Sequence, residues 1–375
     1  MANSNLTNAK KAKNDEFYTQ YGDIEKEIGA YLDFNLDVFR SKVVYCNCDD
    51  PFESNFFRYF VLNFNKLGLK QLITTSYKPS PVANTQLGLF GDDKTLTKSK
   101  GRPKVTANKF IINEVHDIDG DGEFNLKDVS MQLKKNKHNE WTPLEGDGDF
   151  RSDECVKLLK QSDIVVTNPP FSLFREYVKQ LVDHDKKFLI IGSMHAITYK
   201  EVFLLIKSNK LWLGNKTSSQ QMFLEAPKEY TERVVASKPQ GMWWRIIDGK
   251  PLIGIHTALW FTNLDHGRRH QPLSLMTMEE NLKYSKHKEI NGKKSYNKYD
   301  NYDAIEVPFT DAVPSDYEGV MGVPISFLDK YNPEQFEILG ANRGVDQDIN
   351  GVYGRGSYLN KKETFKRLFI KHKKK

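Results

Sequence analysis

Cysteine is scarce in this chain. Cys46, Cys48 and Cys155 are the only three among 375 residues, too few for a disulfide framework. The Cys46–Cys48 pair has no second pair to complete a tetrahedral zinc site. No uninterrupted apolar stretch approaches the roughly 20 residues that cross a bilayer. Residues 1–15 are polar and rich in lysine and asparagine, without the apolar stretch of a secretory signal. A reducing cytoplasm is the expected compartment. A dominant charge sign is lacking too. The 55 basic residues face 49 acidic ones, a net charge of +6, so where the charges cluster matters more than their sum. Finally, the turn after the first apolar strand has no glycine-rich phosphate-binding spacing.

The basic residues cluster in three places. Lys98-Ser99-Lys100-Gly101-Arg102-Pro103-Lys104 is a short hook of the kind that enters A·T-rich minor grooves. Lysines between 283 and 298 interleave with Tyr284, Tyr296 and Tyr299, a composition suited to phosphates and stacked bases. The third cluster is the lysine-rich tail, which reads as solvated.

Apolar spacing predicts the elements. Residues 23–39 carry Ile24, Ile28, Tyr31, Leu32 and Leu36 at helical intervals. Residues 43–46 and 70–75 read as strands flanking a helix over 54–62, the opening of a parallel α/β sheet. Residues 78–106, rich in Pro, Gly and Lys, read as a mobile insertion or surface loop. Strands over 110–112, 164–167 and 188–192 then alternate with helices over 155–159 and 173–182. Past about residue 215 the chain turns to short strands and aromatics, as in Met242-Trp243-Trp244-Arg245-Ile246 and Ala258-Leu259-Trp260-Phe261. A catalytic domain over 1–215 and a second region over 216–375 are expected.

The chemistry centres on Asn168-Pro169-Pro170-Phe171, which ends the apolar run Ile164-Val165-Val166. Two successive prolines fix φ and remove two backbone donors, and each restrains the residue before it. A strand opening into such a loop holds its carbonyls rigid. An amide, a stiff carbonyl and an aromatic ring suit a flat ring with an exocyclic amine, as in a nucleobase. Ahead of it lie other candidates. The turn Asp49-Asp50-Pro51-Phe52 repels phosphate and suits a cationic or hydroxyl-bearing ligand such as S-adenosylmethionine; alone it also reads as a helix cap. Glu16-Phe17-Tyr18-Thr19-Gln20 precedes the first helix. Gly146-Asp147-Gly148-Asp149-Phe150 offers a carboxylate and a ring to an adenine, or a common Gly/Asp turn. Separately, Asp117, Asp119, Asp121, Asn125 and Asp128, with Gly122 at position six, fall in the register of a single calcium loop. A structural calcium site and a solvated acidic turn are both compatible with that spacing.

In order along the chain, these segments resemble the adenine-specific DNA methyltransferases and, more narrowly, the EcoRI-type family. The wider class carries the Asn168–Phe171 pattern. The narrower likeness lies in Asn14-Asp15-Glu16-Phe17-Tyr18-Thr19-Gln20-Tyr21, in Asp49-Asp50-Pro51-Phe52-Glu53-Ser54-Asn55, in Gly146-Asp147-Gly148-Asp149-Phe150-Arg151-Ser152, in Trp260-Phe261-Thr262-Asn263-Leu264-Asp265 and in the stretch from Gly322 to Pro333. The resemblance implies an α/β, doubly wound, mostly parallel methyltransferase sheet followed by a C-terminal target-recognition region. It implies methyl transfer from S-adenosylmethionine to the N6 amine of an adenine flipped out of duplex DNA, within a restriction-modification setting. Asn168, Pro169, Pro170 and Phe171 would form the catalytic loop. Tyr18, Thr19, Asp49, Asp50, Pro51, Phe52, Asp149 and Phe150 would line the cofactor site. The chain departs from the wider pattern in two places. The first cofactor loop lacks glycines, and the strand Leu72-Ile73-Thr74-Thr75 does not end in an acidic residue.

Two other readings share these residues. An RNA-adenine or protein-glutamine methyltransferase also uses Asn-Pro-Pro-aromatic, and a DNA-binding protein without catalysis could keep the fold. Arg245, Arg268, Arg269, Arg343 and Arg355 are each able to pair with guanine edges or with phosphates.

Overall fold

The structure is a computed structural model. It describes residues 18–48, 54–77, 107–118, 120, 125, 128–129, 131–132, 138–226, 228–343 and 354–373. Asp49, Asp50, Pro51, Phe52, Asp119, Asp121, the 78–106 segment and its basic hook lie outside these residues.

The chain forms two compact units. One comprises residues up to Ser193 together with Ser219–Leu264; the other comprises Met194–Ser218 and Asp265 onward. The sequence places one boundary near residue 215. In the structure the chain leaves the first unit after Ser193, returns at Ser219, and leaves again after Leu264. The return has a physical cause. Ala258–Thr262 is a wholly buried strand that pairs antiparallel with Leu189–Ser193 of the first unit.

The first unit opens with helix α1 (Tyr21–Phe34), strand β1 (Val43–Cys46), helices α2 (Asn55–Leu62) and α3 (Phe64–Leu67), and strand β2 (Gln71–Thr75). Helix α1 stops earlier than its apolar spacing suggests. Asn35 leaves helical geometry while its N–H still reaches the Tyr31 carbonyl, and its side chain accepts from Asp37 N at 3.0 Å. This local turn competes with another helical turn. Strands β3 (Asn108–Ile112) and β4 (Glu140–Pro143) follow, then α4 (Asp153–Gln161), β5 (Ile164–Thr167), α5 (Phe174–Asp183) and β6 (Lys187–Ser193). The chain passes through the other unit with α6 (Lys200–Lys207) and β7 (Trp212–Leu213). It returns with β8 (Met222–Leu224), α7 (Lys228–Ser237), β9 (Trp244–Ile247), β10 (Lys250–Ile255) and β11 (Ala258–Thr262).

Within this unit the main sheet runs β4-β3-β2-β1-β5-β6-β11. Strands β2, β1, β5 and β6 are mutually parallel. Strand β3 runs antiparallel to β2, β4 to β3, and β11 to β6. The fold is thus α/β with a large, mixed, mostly parallel sheet. Strands β1 and β5 are buried at every residue, as expected for strands covered on both faces. The core gathers Ile24, Phe56, Phe57, Phe60, Phe110 and Trp260 around the sheet. Gly192 of β6 is required by packing, because a Cβ there would lie 2.3 Å from the Phe174 ring.

The second unit adds α8 (Met278–Tyr284) and a sheet of β12 (Ala304–Glu306), β13 (Val320–Pro324), β14 (Phe336–Ala341) and β17 (Arg367–His372), in the order β12-β13-β17-β14. A short hairpin, β15 (Tyr358–Leu359) with β16 (Lys362–Glu363), precedes β17. The interior of the second unit contains an ion pair: Arg367 Nη2 lies 2.6 Å from Glu306 Oε1, with side chains 11% and 7% exposed. Tyr299 also donates to Glu306.

Candidate active site

The carboxyl ends of the four parallel strands share one edge of the sheet, the edge where ligands bind in open α/β folds. The chain proceeds from β1 to β2 on one side and reaches β5 on the other. The gap between β1 and β5 is therefore the topological switch point. Asn168 follows β5 directly. It is half-buried, Pro169 is buried, and Pro170 and Phe171 are half-buried. The prolines force the chain out of the strand. Pro170 then begins a 3-10 turn, Phe171–Leu173, whose Leu173 N donates to the Pro170 carbonyl at 3.0 Å. Phe171 packs part of its ring against the core.

Tyr18 and Thr19 lie beside this loop. The Tyr18 backbone forms an antiparallel bridge with Glu225, with N–H···O distances of 2.8 and 3.0 Å. The Thr19 carbonyl accepts from Asn55 Nδ2 at 2.8 Å, and Thr19 is only 4% exposed. Its hydroxyl oxygen lies 3.5 Å from Asn168 Nδ2. Helix α2 starts at the same edge, with Ser54 Oγ accepting from Phe56 N and Phe57 N at 3.1 and 3.3 Å. Ser54 is thus the N-cap of this helix.

A buried polar network ties the ends of β1 and β5 together, and sequence reasoning missed it. Asn47, just past β1, accepts at its carbonyl from Thr167 Oγ1 and at its side-chain oxygen from Tyr177 OH. Asn47 is 2% exposed; Thr167 and Tyr177 have no exposure. A signal was available. Phe174, Tyr177, Val178 and Leu181 form the buried stripe of α5, and a tyrosine on such a stripe must find a partner for its hydroxyl. Helix α5 also holds Phe150. Tyr177 meets the Phe150 ring edge-on at 5.0 Å, and Gln180 Nε2 donates to the Phe150 carbonyl at 3.1 Å.

Asp149 and Phe150 reach this edge because Gly148 lets them. Gly148 has φ +78°, and a Cβ there would lie 1.9 Å from the Ser76 carbonyl oxygen. Only glycine permits so close an approach to the end of β2. Asp149 is half-buried and accepts from Arg151 Nε and Nη2 at 2.9 and 2.6 Å, while Arg151 Nη1 reaches Glu176 at 2.9 Å. The same carboxylate accepts from Arg151 N at 2.9 Å. Phe150 is 4% exposed and offers an adenine little more than an edge. Behind these residues, Tyr45 OH and Thr75 Oγ1 are 2.9 Å apart. Burial pushes the Cys155 thiol up, away from the thiolate form that reacts.

Other expectations are corrected. The lysine cluster over 283–298 does not present three stacking rings. Tyr296 is 7% exposed and donates to the Ala312 carbonyl at 2.7 Å. Tyr299 is committed to Glu306; only Tyr284 stands exposed. Arg269 is buried over the Trp212 ring, 3.7 Å from its centroid, and bonded to Asn209, so it cannot read bases. Arg343 pairs with Glu363. A calcium site finds no support. Among the described residues no cluster of three or more His, Cys, Asp or Glu could hold a metal ion. Asp117 accepts from Gly120 N at 2.7 Å. The buried Asp128 carboxylate accepts from Ile118 N and Asn125 N at 2.8 and 2.9 Å. What is described of the 117–128 loop caps its own backbone. Among the described residues no helix is long and apolar enough to cross a membrane.

The family model for adenine-specific methyltransferase EcoRI matches residues 5–375. The chain belongs to the EcoRI family of adenine-specific methyltransferases. It is an enzyme that methylates adenine in DNA at specific sites, of the restriction-modification type, and its family uses S-adenosylmethionine. It is 43% identical to the type II methyltransferase M.EcoRI of Escherichia coli over 376 residues, covering 99% of this chain and 97% of that one. It is 35% identical to the type II methyltransferase M.MpnI of Mycoplasma pneumoniae over 331 residues, 88% of this chain and 83% of that one. No solved structure matches the chain.

Proposed function

We propose that the enzyme methylates the N6 amine of an adenine extruded from duplex DNA, and that Asn168, Pro169, Pro170 and Phe171 carry the reaction. The target atom is inaccessible inside a stacked duplex, so the base must leave the stack. Phe171 lies against one face of the extruded ring. The amine is a poor nucleophile because its lone pair is delocalised into the ring. The Asn168 oxygen and the Pro169 carbonyl accept its two N–H bonds and draw the nitrogen toward tetrahedral geometry. The same oxygens stabilise the positive charge that develops there. A loop stiffened by two prolines provides these acceptors without reorganisation. The observation that carries this reading is the place of Asn168, directly after β5 at the switch-point edge and with its amide 3.5 Å from the Thr19 hydroxyl.

The residues present fit S-adenosylmethionine. The chain approach enforced by Gly148 brings the half-buried Asp149 carboxylate to the edge where Asn168 stands. Asp149 and Phe150 would hold the adenine end, Tyr18 and Thr19 the methionine end, and Asp49, Asp50, Pro51 and Phe52 the region between. When bound, the cofactor supplies a methyl carbon on a sulfonium leaving group. In-line positioning does much of the rest. The second unit, with α8 and the β12–β14 and β17 sheet, is assigned to target recognition, where Arg268 and Arg355 are candidate readers. The setting is the cytoplasm. Methylation of plasmid DNA tests the catalytic assignment. Asn168→Ala should lose methyl transfer while retaining DNA affinity; full activity in that variant would remove Asn168 from the chemistry.

A further inference from the structure

The hairpin β9–β10 and the two residues before it expose apolar side chains. Met242 is 57% exposed, Ile246 59%, and Trp243 and Ile247 37% each. Strand β9 is the outer strand of the order β8-β10-β9. Side chains alternate across a strand, so Ile246 and Ile247 face opposite ways. The tip is a two-residue turn, Asp248-Gly249, with φ +50° and +76°, the geometry that tightens a hairpin. Helix α7 beside it has no buried residue. An edge strand with bare apolar residues on both faces is an aggregation hazard that natural proteins avoid without a reason.

The surroundings lean basic, as suits a DNA substrate. Between residues 228 and 250 the chain carries Lys228, Arg233, Lys238, Arg245 and Lys250 against Glu229, Glu232 and Asp248, and Lys250 lies 3.6 Å from Glu225. The backbone beneath the exposed residues is braced. Gly241 N donates to Trp244 O and Gly254 N to Trp243 O, both at 2.8 Å. Trp244 Nε1 donates to Lys238 O at 2.9 Å, and Lys238 lies 4.8 Å over the Trp243 ring. The hairpin is also continuous with the catalytic edge. Strand β10 pairs with β8, and Glu225, just past β8, is the residue bridged to Tyr18 beside Asn168.

We infer that the β9–β10 hairpin is a wedge that enters duplex DNA beside the target adenine and fills the space the base leaves. Apolar wedges elsewhere separate base steps in this way. The inference rests on the reading that the adenine is extruded. Its two most exposed side chains provide the test, because removing them leaves the interior intact. The protein is the full chain carrying Met242→Ser and Ile246→Ser together. The substrates are duplex oligonucleotides with the methylated adenine facing thymine or facing an abasic position. The double variant should methylate the paired duplex at least about tenfold more slowly, because separating a stacked pair is the costly step. On the abasic duplex it should fall within about twofold of the parent, since that base is already unpaired. Equal losses on both duplexes, or no loss on either, would overturn the wedge. So would a parent dimer in sedimentation that the variant cannot form, which would mark the face as a contact between copies. A parent enzyme that leaves 2-aminopurine fluorescence at the target position unchanged would overturn base extrusion itself, and the wedge with it.

Discussion

Replacing Tyr177 with phenylalanine removes one oxygen from the interior of the first unit. The ring stays, so Phe150 keeps its edge-on neighbour and no large cavity opens. What changes is Asn47. Its side-chain oxygen loses the Tyr177 donor, and at 2% exposure no water replaces it. An abandoned buried acceptor costs about 1–3 kcal/mol. In a domain of 150–250 residues each kcal/mol lowers Tm by about 2–4 °C, so differential scanning fluorimetry should report a fall of about 2–12 °C. A functional loss should accompany it. Asn47 stands immediately before Cys48, which sits at φ +63°, and leads into the loop assigned to the cofactor. If about 1.4 kcal/mol of the disturbance reaches that loop, affinity for S-adenosylmethionine falls about tenfold. Isothermal titration with S-adenosylmethionine measures this directly. An unchanged Tm together with an unchanged Kd would refute the idea that Asn47, Thr167 and Tyr177 hold the switch point together.

Other substitutions separate the parts of the site. Thr19→Val removes the acceptor beside Asn168; kcat should fall about tenfold, as for one lost hydrogen bond of about 1.4 kcal/mol, with DNA affinity unchanged and Thr19→Ser restoring the rate in steady-state kinetics. Gly148→Ala forces a Cβ toward the Ser76 carbonyl at positive φ and should cost at least about 2 kcal/mol, read by urea denaturation. Arg367→Met strands Glu306 in the second unit and should destabilise it by about 3–5 kcal/mol. S-adenosylmethionine affinity should survive that change, because the cofactor residues belong to the first unit.

Much of the first unit was legible because its signals are local. Buried strands read as apolar runs, and two consecutive prolines announce a rigid loop wherever they stand. Helix α1 ran short because Asn35 and Asp37 form a turn that periodicity does not register. The unit boundary escaped for a different reason. Ala258–Thr262 looks like any short apolar strand, and only pairing with β6 in space returns it to the first sheet. The tyrosines among the lysines misled because composition cannot distinguish an exposed ring from one hydrogen-bonded inside a core. The calcium-loop spacing finds no support: Asp128 has a ligand's position and chemistry, yet its oxygens accept from backbone amides, while Asp119 and Asp121 lie outside the described residues. Asn47 was invisible because its two partners lie 120 and 130 residues away.

The assignment of Asn168 is tested most directly by a single-turnover rate, measured on a preformed complex of enzyme, S-adenosylmethionine and duplex DNA. Binding is then complete before the clock starts, and only the chemical step is timed. Asn168→Ala should slow that step by about 100- to 1,000-fold or more, the usual loss when one preorganised electrostatic partner is removed. A rate within about tenfold of the parent would mean that the amine gains its nucleophilicity from some other group.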